Sequence, residues 1–565
     1  MTKKELLSDL PFSSGETLKS LLIYKDVSVW GLIDILFYID LDVNIWAGKE
    51  RAKKNYLQLI RHAPVLIPLI SPVSKFIYSC ANLITQNPSK KVSSKDPMIL
   101  TPILPGRWNI TRQKENGDIS LQNPYYDEIF KKIPSDVDIR TSYSGYPFPE
   151  TFRQYLNIKK HYSYTTDAIM SEWSHNIFRE YLNAIRHFKK IFQKIKSDTN
   201  WLSKASSITG KNITELLQLL EYHITCLAPL RVEYYSLLEL RIQKYRPDLL
   251  FLIGEQSAEG RSWIHLGHKY NIPVICMQHG LILPDDPAYL THTIKDMVID
   301  TSNKNNATSP SYPIPNLTLV WGCNDYRLLT TDAYYPDKSV KIVGNPRYDK
   351  LIDIAVNHTR RDFVDKYKID ANTKLILWTT ESHRLKEREN KEYIEEVYSA
   401  ISQLKNVKLL IKQHPVETAI HRELFTIYAK KYAIEPLFFE TDVSTSDLIY
   451  ISDLILIKTS ATGQEAVILN KPLIVLDFSD NKDAGKYVTE GVAFASYEKK
   501  TLNELMTKLL YTNHNDILAT SRENYIKNHL YKIDGKTNQR CAEIIQAILF
   551  SKVSEREQTD SATLV

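Results

Sequence analysis

The stretch Asp453-Leu-Ile-Leu-Ile-Lys-Thr-Ser-Ala-Thr-Gly-Gln-Glu-Ala-Val467 changes its grammar halfway along. Leu454 to Ile457 is a short unbroken apolar run, the pattern of a strand buried on both faces of a parallel sheet. Lys458 to Gly463 is small and hydroxylic, and Gln464 onward opens a helix. A strand that turns this tightly into a helix leaves backbone N–H groups and the positive helix end facing a crevice, where a phosphate would be stabilised. Glu465 then falls in the first helical turn, where a carboxylate favours the dipole and can accept from ribose hydroxyls. An ordinary N-cap at Thr459, Ser460 or Thr462 accounts for the same residues. Gly463 is not followed by Lys and Ser or Thr, which argues against a Walker-type ATPase.

Working outward, the same strand, polar turn and helix grammar recurs. Apolar runs at Asp248 to Ile253, Pro273 to Met277, Met297 to Ile299, Leu317 to Trp321 and Val340 to Val343 form one series. Lys374 to Thr379, Val407 to Ile411, Asp453 to Ile457 and Leu473 to Leu476 form a second, with Asp362 to Asp370 between them. Two α/β units in tandem are expected. Open parallel sheets bind ligands just beyond the carboxyl ends of their strands, and the unusual polar residues fall there. Glu255 and Gln256 follow one strand, and Gln278, His279 and Gly280 the next. Thr380 and Glu381, His414 and Glu417, and Ser460 with Thr462 follow strands of the second series. Each alone reads equally well as a cap or a turn; five together predict a cleft.

Three further positions carry chemistry. His414 precedes Pro415 and is therefore held extended at a strand end, where an imidazole can donate to a diphosphate. His279 precedes Gly280, which permits close backbone approach, so His279 is a candidate base or oriented donor. Arg347, in Val343-Gly-Asn-Pro-Arg-Tyr-Asp349, has the planar fork suited to phosphate. No His or carboxylate stands at metal-ligand spacing from either histidine, so no metal is expected. A G-x-G-x-x-G after a strand, a G-x-S-x-G elbow and H-E-x-x-H are all missing from the sequence, which removes dehydrogenase, α/β-hydrolase and zincin readings.

At 565 residues the chain is long enough for several units at roughly 100 to 200 residues each. Its 43% hydrophobic and 24% charged residues are an ordinary globular balance. The net charge of +6 is spread along the chain, which fits small anionic ligands better than nucleic acid. Five scattered cysteines without a C-x-x-C pair point to a reducing compartment, and the N-terminus lacks a signal-peptide pattern, so a cytoplasmic protein is expected. Residues 1–90 read as a helical N-terminal cap, with helices at Glu5 to Leu10, Val27 to Tyr38 and Arg51 to Ile60. Residues 91–355 read as a first α/β domain carrying a helical insertion between Ser171 and Tyr245, 356–550 as a second, and 551–565 as a flexible tail. Ser28 to Trp46 and Ala63 to Ile84 are the most apolar stretches. Both are read as buried core, with peripheral contact at the inner face of a membrane as the competing reading for Ala63 to Ile84 beside the basic Lys90, Lys91 and Lys95.

The order of motifs is itself informative. Arg246-Pro-Asp-Leu-Leu-Phe-Leu-Ile-Gly-Glu255, Asn271-Ile-Pro-Val-Ile-Cys-Met-Gln-His-Gly280, Val343-Gly-Asn-Pro-Arg-Tyr-Asp349, Lys412-Gln-His-Pro-Val-Glu417, Thr459-Ser-Ala-Thr-Gly-Gln-Glu-Ala466 and Lys471-Pro-Leu-Ile-Val-Leu476 follow one another over about Tyr245 to Phe478. In this order they resemble the GT-B glycosyltransferase superfamily, especially surface-polysaccharide transferases, CDP-glycerol glycerophosphotransferases and UDP-N-acetylglucosamine 2-epimerases. The resemblance implies two facing Rossmann-like domains, the C-terminal one holding a nucleotide sugar as substrate, with no separate cofactor, and the N-terminal one holding a glycan or lipid-linked acceptor. It implies Ser460, Thr462, Gly463 and His414 at the diphosphate, Glu465 at the ribose or sugar, Arg347 at the hinge or phosphate, and Glu255 or His279 as general base of an inverting, metal-independent transfer. Gln278, Gly280, Glu381 and Glu417 would line the rest of the cleft. The chain departs from the epimerase pattern at Leu476-Asp-Phe-Ser-Asp-Asn481 and from the glycerophosphotransferase pattern at Lys458-Thr-Ser-Ala-Thr462. Polyol-phosphate transfer from a CDP-alcohol, UDP-sugar 2-epimerisation and a non-catalytic sugar-nucleotide-binding relative stay as alternatives.

Overall fold

The computed structural model of the protein describes residues 7–25, 27–34, 37, 73, 75–81, 96–103, 110–113, 119–144, 149–282, 289, 313–354, 359–381, 387–414, 417, 419–439, 443–476, 478, 483, 485–497, 501–511 and 515–563. Seven strands form the first sheet: β1 (Met98–Ile103), β2 (Asp138–Tyr143), β3 (Thr165–Ala168), β4 (Leu249–Ile253), β5 (Val274–Met277), β6 (Leu317–Val320) and β7 (Val340–Ile342). Six form the second: β8 (Lys374–Thr379), β9 (Val407–Lys412), β10 (Leu437–Phe439), β11 (Leu454–Ile457), β12 (Leu473–Leu476) and β13 (Phe494–Ser496). Every pairing within both is parallel.

The strand orders are β3-β2-β1-β4-β5-β6-β7 and β10-β9-β8-β11-β12-β13. Each sheet thus starts at its centre, winds outward to one edge and then crosses back to the other side. The direction reverses between β1 and β4 in the first sheet and between β8 and β11 in the second. There the connections leave in opposite directions and open a crevice at the carboxyl ends of the strands. All four residues of β5, β6, β11 and β12 are buried, as the unbroken apolar runs require when helices cover both faces.

The sequence reading anticipates the interior strands and misses β2, β3, β10 and β13. These are edge or near-edge strands: β2 and β3, such as Thr165-Thr-Asp-Ala168, have no unbroken apolar run, and β10 and β13 have only three residues each, too short a run to mark a strand. The expected strand at Met297 to Ile299 and the expected helix at Arg51 to Ile60 lie outside the described residues.

Between β3 and β4 run α1 (His175–Ser197), α2 (Thr199–Thr209), α3 (Ile213–Glu221) and α4 (Ala228–Tyr245). Ser174 accepts from the Ile177 N–H to start α1, Asp198 does the same for α2 through Trp201, and α2 stops at Gly210 with φ 70°. The buried side of α1, Ala184, Phe188, Phe192 and Ile195, shares one core with Leu7, Phe12, Leu18, Trp30 and Ile33 of the N-terminal segment. The N-terminal segment and the helical insertion, read separately in the sequence, are therefore packed as one layer. Val27 to Tyr38 is corrected in its first part: Val27–Ser28 pairs antiparallel with Ile23–Tyr24 around Lys25 at φ 46°, and the helix begins at Trp30. Within the apolar stretch Ser28 to Trp46, Asp34 is buried against Arg261, 2.6 Å away, on α5 (Ala258–Lys269). Of Ala63 to Ile84, residues 73 and 75–81 are described: they are helical, with Tyr78 and Ala81 buried and Val73 and Phe76 exposed.

The last helix, α6 (Thr537–Thr563), returns across the molecule. Cys541, Ala542, Ile545 and Leu549 lie in the core of the first sheet, not the second. The polar segment expected to fray after 550 continues this helix as far as Thr563. Arg556 anchors it by donating to Asp248 at 2.7 Å, and Val553 is buried beneath it. Among the described residues, no helix is long and apolar enough to cross a membrane.

Candidate active site at the carboxyl edges of the two sheets

At the switch point of the second sheet, the ends of β8 and β11 are tied directly. The Glu381 carboxylate accepts from the Thr459 N–H at 2.6 Å and from its hydroxyl at 3.0 Å. The Thr379 and Thr462 hydroxyls meet at 3.0 Å, and Thr380 donates to Glu417 at 2.6 Å. Glu417 in turn donates its N–H to the carbonyl of the half-buried His414. The structure therefore brings Thr380, Glu381, His414, Glu417, Thr459, Ser460 and Thr462 to one edge, as the strand-end argument expects.

The expectation of a row of free N–H groups is corrected in detail. The N–H groups of Thr459, Thr462, Gly463 and Gln464 find acceptors at Glu381, Ser460 Oγ, the Ser460 carbonyl and the Ala461 carbonyl. Those of Ser460 and Ala461 have no acceptor among the described residues. Two adjacent unspent donors thus stand at the switch point of the second sheet.

Gly463 serves a different purpose from the one inferred. It is buried, and a Cβ there would stand 2.6 Å from the Tyr487 ring and 2.8 Å from Ile457. Tyr487 is itself buried, stacked on Tyr525 with centroids 5.6 Å apart, and donates to the Ser460 carbonyl at 2.9 Å. The glycine thus lets a tyrosine support the turn from beneath. Glu465 is also inside: it is 2% exposed, accepts from Ser446 at 2.6 Å and faces Arg347 at 3.5 Å. Arg347 lies just past β7, its guanidinium 5.5 Å from the centre of the Tyr125 ring, so the Arg347–Glu465 pair joins the first unit to the second. Tyr348 adds a buried bond to Gln464 at 2.8 Å.

At the first sheet, Glu255 is buried, with Tyr335 donating to one carboxylate oxygen at 2.8 Å and Thr318 to the other at 3.0 Å. Burial pushes its carboxyl from the ordinary 4.5 up to about 7, against the pull of those hydroxyls. Gln278 is a strut: it accepts from the Trp321 N–H at 2.8 Å and donates to the Gly280 carbonyl at 2.9 Å, folding back the turn that carries His279. Buried Asp325 is pushed up to about 7 by burial, with the same glutamine pulling the other way. His279 Nδ1 stands 3.4 Å from the Gln256 amide nitrogen. A Cβ at Gly280 would meet nothing within 4 Å among the described residues.

The two carboxyl edges meet. Lys486, in the connection after β12, donates to Asn324, four residues beyond β6, at 3.0 Å. Gly322 lies so close to the 526–530 turn that a Cβ would stand 2.4 Å from the His529 backbone. Sequence reasoning missed Asn324, Asp325, Lys486 and Tyr487. The one available signal was Asp483, whose carboxylate accepts from three successive N–H groups, of Tyr487, Val488 and Thr489, as a turn-forming Asp does. Among the described residues, no three His, Cys, Asp or Glu side chains are grouped to hold a metal ion.

The buried Glu255 gives a pH prediction. Its folded pKa is raised, so between about 4.5 and about 7 the folded protein holds a proton that the unfolded chain has lost. Glu255 therefore contributes stability in full below 4.5 and loses it as pH rises toward 7. Denaturant midpoints measured across that window are expected to fall less steeply in Glu255→Gln than in the parent. Identical slopes would contradict a protonated buried Glu255.

Residues 388–479 match a family described as capsule polysaccharide biosynthesis protein. No curated protein matches the chain. Among solved structures, the UDP-GlcNAc 2-epimerase from Neisseria meningitidis bound to UDP-GlcNAc is similar at 13% identity, over 80% of this chain and 100% of that one, with a TM-score of 0.47. The UDP-N-acetylglucosamine 2-epimerase from Rickettsia bellii gives 11%, 82%, 99% and 0.48. A glycosyltransferase from Rickettsia africae gives 13%, 80%, 99% and 0.42. The fold rests instead on strand order, on the meeting of the two carboxyl edges and on the returning last helix. By these the chain has the GT-B architecture, and its residues 388–479 carry the match to the capsule polysaccharide biosynthesis family.

Proposed function

We propose that this protein is a glycosyltransferase that moves a sugar from a nucleotide-sugar donor to a glycan or lipid-linked acceptor during assembly of a surface polysaccharide. The observation that carries this reading is the second sheet's switch point, where Ser460 and Ala461 offer two unspent N–H groups beside Thr462 and His414. A diphosphate seated there would be held by backbone donors and by the Ser460 hydroxyl, with the His414 imidazole within the same edge. Glu465 and Arg347, committed to each other, set the seat of the turn and its position against the first sheet. The capsule polysaccharide match over 388–479 covers β9, β11 and this turn, and supports the surface-glycan part of the reading.

On the acceptor side, His279 takes the role of general base. The Gln256 contact can be written with the amide nitrogen donating to Nδ1 or, with the amide turned over, with Nδ1–H donating to Oε1. The second arrangement leaves Nε2 as the lone pair that can take the acceptor hydroxyl's proton as that oxygen attacks the anomeric carbon. Glu255 and Gln278 hold the walls of this turn. The leaving phosphate's charge falls to the donors of the second sheet, and inversion with no metal ion is the form of the reaction proposed.

Incubating the purified protein with UDP-, GDP- and CMP-sugars and CDP-glycerol, with and without surface-glycan acceptors, tests this by mass spectrometry. Nucleotide release that requires an acceptor and adds a sugar mass to it is expected. Phosphate in the product, or isomerisation of a donor without any acceptor, would replace this reading by polyol-phosphate transfer or by epimerisation. Absence of any nucleotide binding would overturn it.

A further inference from the structure

Lys486 is a cation that the structure places where the two carboxyl edges meet and that the function above does not use. Its backbone is held in the left-handed region, φ 54°, which strains a residue with a side chain. Asp483 fixes that geometry through its three N–H acceptances, and Tyr525 fixes the preceding residue by donating to the Gly485 carbonyl at 2.7 Å. A costly conformation is thus locked from both sides, and what it delivers is an ammonium at the junction. The next residue, Tyr487, donates to the Ser460 carbonyl, so the Lys486 turn and the turn bearing the unspent N–H groups are built on the same tyrosine.

The ammonium is under-used. It donates to the neutral Asn324 amide oxygen at 3.0 Å, and among the described residues no carboxylate forms an ion pair with it. Asp325, the acid that feels its charge, is buried and forms no ion pair with it. A half-buried lysine carries three donors, and its charge in such a place is stabilised by an anion.

We propose that Lys486 is a phosphate ligand: its ammonium reaches the phosphate of the nucleotide donor from the side opposite the Ser460 and Ala461 amides and takes up the charge left on the departing nucleotide. The assignment rests on the nucleotide-sugar reading above. Lys486 acts as a point charge, needing no forked geometry, and its bond to Asn324 uses one of its three donors, leaving two for an anion.

The test is the dissociation constant for UDP, GDP, CDP and CMP, measured by calorimetry on the full chain for the parent, Lys486→Gln, Lys486→Arg and Asn324→Ala, with the thermal midpoint of each ligand-free protein as a check of folding. For the nucleotide that the parent binds best, Lys486→Gln is expected to weaken binding roughly ten- to hundredfold, the loss of a charged hydrogen bond. Lys486→Arg is expected to restore most of it, and Asn324→Ala to stay within about twofold of the parent, since phosphate binding needs the ammonium and not its amide partner. Unchanged binding in Lys486→Gln overturns the assignment, as does an equal loss in Asn324→Ala, which would mark Lys486 as a tie between units. A parent protein that binds none of the four overturns the nucleotide-sugar reading and this assignment together.

Discussion

Replacing His279 with alanine is expected to lower turnover by about 10²- to 10⁴-fold, the usual worth of a positioned general base, while nucleotide affinity stays within about twofold. The separation of the two effects follows from geometry. His279 stands on the first sheet beside Gln256, whereas the proposed phosphate seat is on the second. The fold should tolerate the change, because the turn's shape is set by Gln278 bonding Trp321 and Gly280 and not by the imidazole. Gln256→Ala is expected to move turnover in the same direction by a smaller factor and to shift the pH profile of the rate, since it frees the ring to change tautomer. Full turnover in His279→Ala would remove the histidine from the chemistry.

The second large effect is structural. Gly463→Ala would put a methyl carbon 2.6 Å from the Tyr487 ring, and that ring cannot retreat because Tyr525 is stacked behind it. Overpacking of this kind costs about 1–3 kcal/mol. The greater consequence is local: if Tyr487 shifts, its bond to the Ser460 carbonyl is lost, and the anion seat moves with it. A folded protein with a lowered thermal midpoint and nucleotide binding reduced far beyond what stability explains is expected. Tyr487→Phe, which keeps the ring and drops the 2.9 Å bond, separates the two contributions. Binding retained in both variants would show that the turn needs no support from beneath.

The wound sheets were legible because buried parallel strands announce themselves as apolar runs. Leu454 to Ile457 and Leu473 to Leu476 could be read directly, and the edge strand Thr165–Ala168 could not. The strand-end rule then located Thr380, Glu381, His414, Glu417 and Ser460 on one edge without knowledge of any contact. What it could not supply was side-chain direction. Glu255 and Glu465 sit at strand ends and at helix starts as a cleft carboxylate would, yet both are turned inward onto hydroxyls and, for Glu465, onto an arginine. Gly463 reads in the sequence as an aid to the tight turn at the diphosphate, and what its missing side chain makes room for is Tyr487, 24 residues later in the chain. Lys486 was invisible for the same reason. Its position depends on Asp483 folding the chain after β12 back toward Asn324, a long-range event with no periodicity to mark it. The packing of the N-terminal segment into the α1 to α4 layer, sealed by Asp34 and Arg261, is likewise a property of tertiary structure alone.

Hydrogen exchange of the full chain with and without saturating donor nucleotide reads the backbone N–H groups at the proposed seat themselves. New protection is expected at residues 457–465 and at the end of β9 through His414, with a smaller change around Asn324 and Lys486. Protection confined to other parts of the chain, or none with any of the UDP, GDP, CDP and CMP ligands, would contradict a nucleotide site at the second sheet's switch point.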